Sequence, residues 1–137
     1  MTDGVAARTG FDGPDAVVRK VLQAIFAGDM SVFEGHPGLV SMRRTFPRIR
    51  AGIPDLSAEL QQQLVEGDRV ASHWLFRGTH LGPLWGIAPT GRSLQFVGVS
   101  IARVEGGRIV QYDSAVGWLN VLIQIGVLPV RPTFPPP

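Results

Sequence analysis

The stretch "EGDRVASHWLFRGTHLGPLWGIAPTGRSLQFVGVSIARVEGGRIVQYD", residues 66–113, decides the fold. It opens on a turn at Glu66-Gly67-Asp68 and enters a strand-like run of about ten residues ending near Thr79. A loop punctuated by Gly82, Pro83, Gly86, Pro89 and Gly91 follows. Two more strand-like runs are then joined at Glu105-Gly106-Gly107, which is a hairpin signal. Just upstream, "LSAELQQQLV" adds a first strand over about 56–64. Short turns between successive strands make the run antiparallel.

Working outward, "GPDAVVRKVLQAIFAGD" (13–29) reads as a helix. Pro14 suits its first turn and Asp15 its positive N-terminal end. Val17, Val18, Val21, Leu22 and Ile25 form one apolar face, and Gly28 is placed to stop the helix. A brief extended piece is expected at Val32–Glu34, then a loop at Gly35–Gly38. Leu39, Met42, Arg43 and Phe46 return at helical spacing, with Pro47 expected to kink or interrupt that helix. "GWLNVLIQIGVL" (117–128) reads as a short apolar terminal helix. Residues 1–12 are expected to be disordered, and the Pro-rich "PVRPTFPPP" (129–137) to trail off as an extended tail. Helices first and antiparallel strands after give an α+β domain over 13–128, with helices packed on one face of a curved sheet.

The bulk numbers agree with one domain. The 137 residues can bury a single real core, and 45% hydrophobic against 18% charged residues describes a globular chain. The net charge is only +2, and no long basic run is interleaved with aromatics, so nucleic-acid binding is not expected. The absence of cysteine excludes disulfides, thiolate metal sites and cysteine nucleophiles. No apolar run approaches the ~18 residues that span a bilayer. The N-terminal segment lacks the hydrophobic core of a signal peptide, so a cytoplasmic location and no membrane partner are expected. Three scattered histidines without matching carboxylates argue against a metal site.

Five pieces of the chain carry a resemblance. They are Gly67-Asp68-Arg69-Val70, Trp74-Leu75-Phe76-Arg77-Gly78-Thr79-His80, Gly86-Ile87-Ala88-Pro89-Thr90-Gly91-Arg92, Phe96-Val97-Gly98 and Gly107-Arg108-Ile109-Val110. His36-Pro37-Gly38-Leu39 and Pro54-Asp55-Leu56 fit as well. In this order and spacing, over roughly 32–128, the chain resembles the SnoaL-like polyketide cyclase family of the nuclear-transport-factor-like and ketosteroid isomerase-like superfamily. The resemblance implies an NTF2-like, cone-shaped barrel of curved sheet and helices around one deep apolar pocket. It also implies a homodimer and chemistry that uses no cofactor. Relatives close polyketide rings by aldol chemistry, isomerise, open epoxides, hydrate, or only bind.

Alternation along the final strand puts Val110, Tyr112 and Ser114 on one face and Ile109, Gln111 and Asp113 on the other. In the cyclases that this chain resembles, the catalytic carboxylate falls where Ser114 stands, and its histidine or aspartate partner where Ser100 stands. A serine hydroxyl has no useful basicity alone, so the usual base for a carbon-bound proton is missing. His73 stands where related enzymes carry a pocket arginine, and histidine is a residue type suited to acid or base work, which makes it a candidate. The epoxide-opening arrangement of Asp-Arg-Asp reads Leu75, His73 and Ser114 here. Tyr112, the one tyrosine, can donate a hydrogen bond to a carbonyl or ether oxygen. Asp113 would serve the pocket only if a β-bulge turned it inward.

The expected catalytic set is therefore His73, Tyr112 and Asp113, and the expected substrate-binding set is His36, Trp74, Phe96, Ser100, Ser114 and Trp118. His80, which closes the "GTH" motif, is expected to be structural. The expected activity is that of a cofactor-free cyclase or isomerase on a hydrophobic, oxygenated, polyketide-like small molecule of secondary metabolism. A non-catalytic binding protein on the same scaffold is the rival reading, and an epoxide-opening or hydrating enzyme the third.

Overall fold

The computed structural model describes residues 13–128; the segments expected to be disordered or extended, 1–12 and 129–137, lie outside the described residues. The order is α1 (Pro14–Phe26), two 3₁₀ turns (Met30–Gly35 and Pro37–Leu39), α2 (Val40–Gly52), β1 (Ser57–Glu66), β2 (Arg69–Thr79), β3 (Ser93–Glu105), β4 (Arg108–Val116) and α3 (Trp118–Gln124). The four strands pair antiparallel in sequence order, β1-β2-β3-β4, as a curved sheet that does not close. The α+β class with helices on one sheet face is thus as the sequence predicts.

Each helix is set by its sequence. Pro14 occupies the first turn of α1 and Asp15 lies beside it, while Ala16, Val18, Leu22, Ile25 and Phe26 are buried against the sheet. Gly28 follows with φ +103°, a conformation that favours glycine. The Arg50 guanidinium donates 2.9 Å to the Phe26 carbonyl, a cation at the negative end of α1. A side chain at Gly28 would collide with that arginine.

Two local expectations are corrected. The piece expected to be extended at Val32–Glu34 is a 3₁₀ turn, capped by Asp29, whose carboxylate accepts from the Ser31 N–H at 3.0 Å. Helix α2 continues through Pro47 to Gly52. Pro47 and Arg43, whose carbonyl loses its N–H partner there, are both on the solvent side, where water can replace the bond.

Strict alternation holds on the central strands. On β3, Leu94, Phe96, Gly98, Ser100, Ala102 and Val104 are buried, and the residues between them are mostly exposed. On β2, Val70, Ser72, Trp74 and Phe76 share that buried face. The helices cover it with a chain of rings: Phe26 meets Trp74 edge-on at 5.1 Å and Phe76 at 5.0 Å, and Phe76 stacks on Phe96 at 5.2 Å.

Two bulges bend the sheet, one at Gln61 and one at Val110. The second corrects the expected pattern of β4. Val104 pairs with Ile109 and Arg103 with Gln111, so Ile109 turns into the core while Tyr112 and Ser114 still face inward. Beyond the end of β4, α3 supplies a substitute strand. The Gln124 side chain accepts from the Gln95 N–H at 2.8 Å and donates to its carbonyl at 2.7 Å.

Candidate active site

The inward face and the helices enclose a cavity of about 360 Å³. Its floor is sheet: Trp74 and Phe76 from β2, Phe96, Gly98 and Ser100 from β3, and Tyr112, Ser114 and Val116 from β4. Its roof is Phe26 from α1 and Met42, Phe46 and Ile49 from α2, and Trp118 closes one end. Ser41, Thr45 and Ser114 are exposed, so the cavity opens between α2 and the edge strand β4. Gly98 is needed here because a Cβ at that position would lie 2.9 Å from the Phe76 ring.

Register gathers the polar groups of the sheet into one row. Gln63 pairs with Ser72, Ser72 with Ser100, and Ser100 with Ser114, all facing inward. Gln63 Nε2 donates to Ser72 Oγ at 3.2 Å and to the Asp15 carbonyl at 3.1 Å, which settles the far end of the row against α1. At the near end the Tyr112 hydroxyl stands beside Ser100 and Ser114. Burial pushes the Tyr112 hydroxyl above the ordinary tyrosine range, and the two serine hydroxyls pull partly the other way. Tyr112 is therefore a neutral donor at physiological pH. Ser100 Oγ is enclosed beside the phenol. This apolar chamber, with hydroxyls from neighbouring strands at one end, can hold an apolar molecule and donate hydrogen bonds to an oxygen on it.

The match to known proteins bears on this geometry. Residues 4–125 match the family described as SnoaL-like polyketide cyclase. The chain belongs to the SnoaL-like polyketide cyclase family. Solved structures share the fold. AclR from Streptomyces galilaeus superposes with TM-score 0.79 at 23% identity, over 88% of this chain and 85% of that one. TsrD from Streptomyces laurentii does so with TM-score 0.72 at 26% identity, over 82% and 97%. IdmH from Streptomyces antibioticus does so with TM-score 0.71 at 24% identity, over 82% and 98%. No curated protein matches the chain.

In this SnoaL-like chain the structure brings together Tyr112, Ser100, Ser114, Trp74, Phe96 and Trp118, all on the cavity wall. Of the other three expected residues, Asp113 also reaches the cavity wall, while His73 and His36 do not line it. His73 pairs with Gln62 and Val99 on the outer face, because the inward position beside it belongs to buried Trp74. Asp113 pairs with Ile101 in register with the outer face, and it borders both the inner cavity and the outer-face hollow that His73, Ser100 and Ser114 also line. His36 serves the backbone: its Nδ1 accepts from the Ile109 N–H at 3.0 Å. Burial, then the nearby Arg108 charge, holds the His36 pKa below its ordinary value. His80 is fully buried and accepts from the Thr90 N–H at 3.2 Å through Nδ1, which pins the 81–92 loop.

Sequence reasoning missed the roof. Met42, Thr45, Phe46 and Ile49 recur at i, i+3, i+4 and i+7 on α2, a signal indistinguishable from an ordinary core face until the helix is placed over the hydroxyl end. Among the described residues no group of three histidine, aspartate or glutamate side chains is arranged to hold a metal ion. No helix there is long and apolar enough to cross a membrane.

Proposed function

We propose that this chain is a cyclase or isomerase acting on a hydrophobic, oxygenated, polyketide-like small molecule without a cofactor. The observation that carries the reading is the inner cavity, apolar on nearly every wall, with Tyr112, Ser100 and Ser114 gathered at one end. Membership of the SnoaL-like polyketide cyclase family supports the cyclase or isomerase class. The aromatic walls hold a flexible chain folded for reaction, and such preorganisation supplies much of a ring closure. Tyr112 donates to a carbonyl or ether oxygen as charge builds on it, while Ser100 and Ser114 orient the phenol and the substrate. His73 has no part in this reading.

The test is product formation. A reactive linear poly-β-ketone, incubated with and without the protein, is followed by chromatography and mass spectrometry. A single enriched cyclised isomer is expected, lost in large part in Tyr112→Phe. Tight binding with no change in product distribution would instead make the chain a binding protein. That second reading draws on one specific feature: serines stand at both acid/base positions, 100 and 114.

We also infer that a second copy of the chain covers the outer sheet face. Leu64 is 62%, Val99 49% and Ile101 56% exposed there, in one apolar patch. His73 and Asp113 lie on opposite sides of the Val99–Ile101 ridge, two strands apart. A two-fold axis across that ridge brings each against its opposite in the other copy.

A further inference from the structure

The solvent side of α2 carries charge that the fold leaves unanswered. Arg43, Arg44 and Arg48 are exposed, and the helix holds no aspartate or glutamate between Val40 and Gly52. Other arginines find acceptors. Arg77 meets Glu59 at 3.2 Å, Arg103 meets Glu105 at 2.7 Å, and Arg50 donates to the Phe26 carbonyl. Among the described residues, Arg43, Arg44 and Arg48 make no hydrogen bond or ion pair. Arg44 and Arg48 stand four apart, where like charges repel.

Shape is the second observation. Val40, Pro47 and Ala51 are exposed at i, i+7 and i+11, one apolar line down the helix. Arg43 flanks that line on one side, and Arg44 and Arg48 flank it on the other. The side chains of the line are small, so a second helix can lie close along it. Arginines on two flanks do not converge on one small anion, as a phosphate site requires. The line also lacks the Trp, Phe and Leu side chains that seat a basic helix in a lipid surface.

We infer that the outer side of α2 docks an acidic helix of a partner protein. Its carboxylates would pair with Arg43 on one flank and with Arg44 and Arg48 on the other, over the line of Val40, Pro47 and Ala51. Ser41 and Thr45, a step round the same helix, rim the inner cavity, so a partner docked there faces the cavity mouth. Complementary charge sets the speed and orientation of such an encounter more than its strength. Docking on this side requires nothing of the cavity's contents.

The experiment titrates the full chain against three fluorescein-labelled helical peptides of about 20 residues, long enough to hold a helix in water. One carries glutamates on both flanks of an alanine stripe; in the other two, glutamine or lysine replaces every glutamate. Anisotropy is read at low and at physiological ionic strength. The glutamate peptide is expected to bind about tenfold more tightly than the glutamine peptide and to weaken as salt rises, with the lysine peptide weakest. The combined change Arg43→Gln, Arg44→Gln and Arg48→Gln should lower its affinity about tenfold with an unaltered circular dichroism spectrum. Arg44→Gln alone should lower it in part, and Arg69→Gln, at the exposed start of β2, should leave it unchanged. Equal binding of the glutamate and glutamine peptides, or equal binding by the parent and the triple variant, would overturn the docking surface. Equal losses in Arg44→Gln and Arg69→Gln would do the same, because net charge alone would then account for binding. Vesicles of equal parts phosphatidylcholine and phosphatidylserine are the counter-probe; tighter arginine-dependent binding to them than to the peptide would overturn the acidic partner in favour of a membrane. None of these results bears on the cavity reading, which product formation tests separately.

Discussion

The Nδ1 of His36 accepts the backbone N–H of Ile109, 73 residues further along the chain, at 3.0 Å. The contact sits where β4 bulges at Val110 and its ladder to β3 is interrupted. Arg108 Nε donates to the Gly35 carbonyl at 2.9 Å beside it. The segment Gly35–Gly38 thus clamps the strand that carries Tyr112 and Ser114 to the cavity. His36, expected in the substrate-binding set, is a backbone acceptor that holds the floor in register.

The clamp makes stability depend on pH with a defined sign. His36 has a lowered pKa when folded, from burial first and Arg108 second. Above the unfolded value, about 6.5, both states hold neutral His36 and its contribution is complete. Below that value the unfolded chain takes up the proton first, so stability falls until the pH has dropped through the folded pKa. His36→Gln should remove this component, giving a shallower loss as the pH falls below about 6.5, at a constant cost of roughly 1 kcal/mol for a weakened backbone contact. Urea denaturation of both proteins across that range is the measurement. Parallel curves for the two would rule out His36 as the titrating group.

Gly38 gives a second test of the clamp. A Cβ there would lie 2.5 Å from the Gln111 nitrogen and 2.7 Å from the Val110 carbonyl carbon, which are backbone atoms with little freedom to yield. Gly38→Ala should destabilise by about 1–3 kcal/mol, as overpacking does. It should also weaken ligand binding, because the shift passes along β4 to Tyr112. Gly35→Ala, with nothing within 4 Å of its added Cβ, is the matched control and should be close to neutral.

How far the sequence foretold the site follows from period and bulge. Alternation on β2 and β3 is unbroken, and from it the inward positions of Trp74, Phe96 and Ser100 follow directly. The same rule puts His73 outside, one residue from Trp74; only the likeness to enzymes with a pocket arginine pointed it inward. On β4 the bulge at Val110 depends on how Gly38 and His36 meet the strand across 73 residues, which no local pattern encodes, so Ile109 was assigned to the wrong face. The faces of Tyr112, Asp113 and Ser114 were legible because they lie beyond the bulge in regular pairing with β3. The roof from α2 was not, since an amphipathic helix carries no mark of which strand it will cover.

Two single substitutions on opposite faces separate the chemistry from the scaffold. Tyr112→Phe removes one hydroxyl from the cavity and should lower turnover by tenfold or more, with the larger part in kcat, as expected when a donor acts on developing charge. His73→Ala lies behind the floor and should leave kcat within about twofold of the parent. Burial keeps Tyr112 protonated well past neutrality. Its contribution should therefore be flat between about pH 6 and 8, below the ordinary tyrosine pKa of about 10. A kcat that follows His73 rather than Tyr112 would return proton transfer to the outer face and defeat the cavity assignment.

Oligomeric state decides what the outer face is for. Ile101 lies at its centre, between Ala71 on β2 and Asp113 on β4. Burying Leu64, Val99 and Ile101 against a second copy would remove three exposed apolar side chains of that face from water. Ile101→Arg places a charge in the centre of such a contact without touching the cavity, since Ser100 and Ala102 on either side face inward and are unaltered. Light scattering should report a dimer for the parent and a monomer for this variant, both folded by circular dichroism. His73→Ala and Asp113→Ala should each weaken the dimer by less, because a single rim pair contributes only about 0–1 kcal/mol. The pairing predicts further that the double variant loses no more than the larger of the two single changes. Full additivity would mean that His73 and Asp113 do not meet across the axis, and a parent that is monomeric at all concentrations would leave the patch to some other covering.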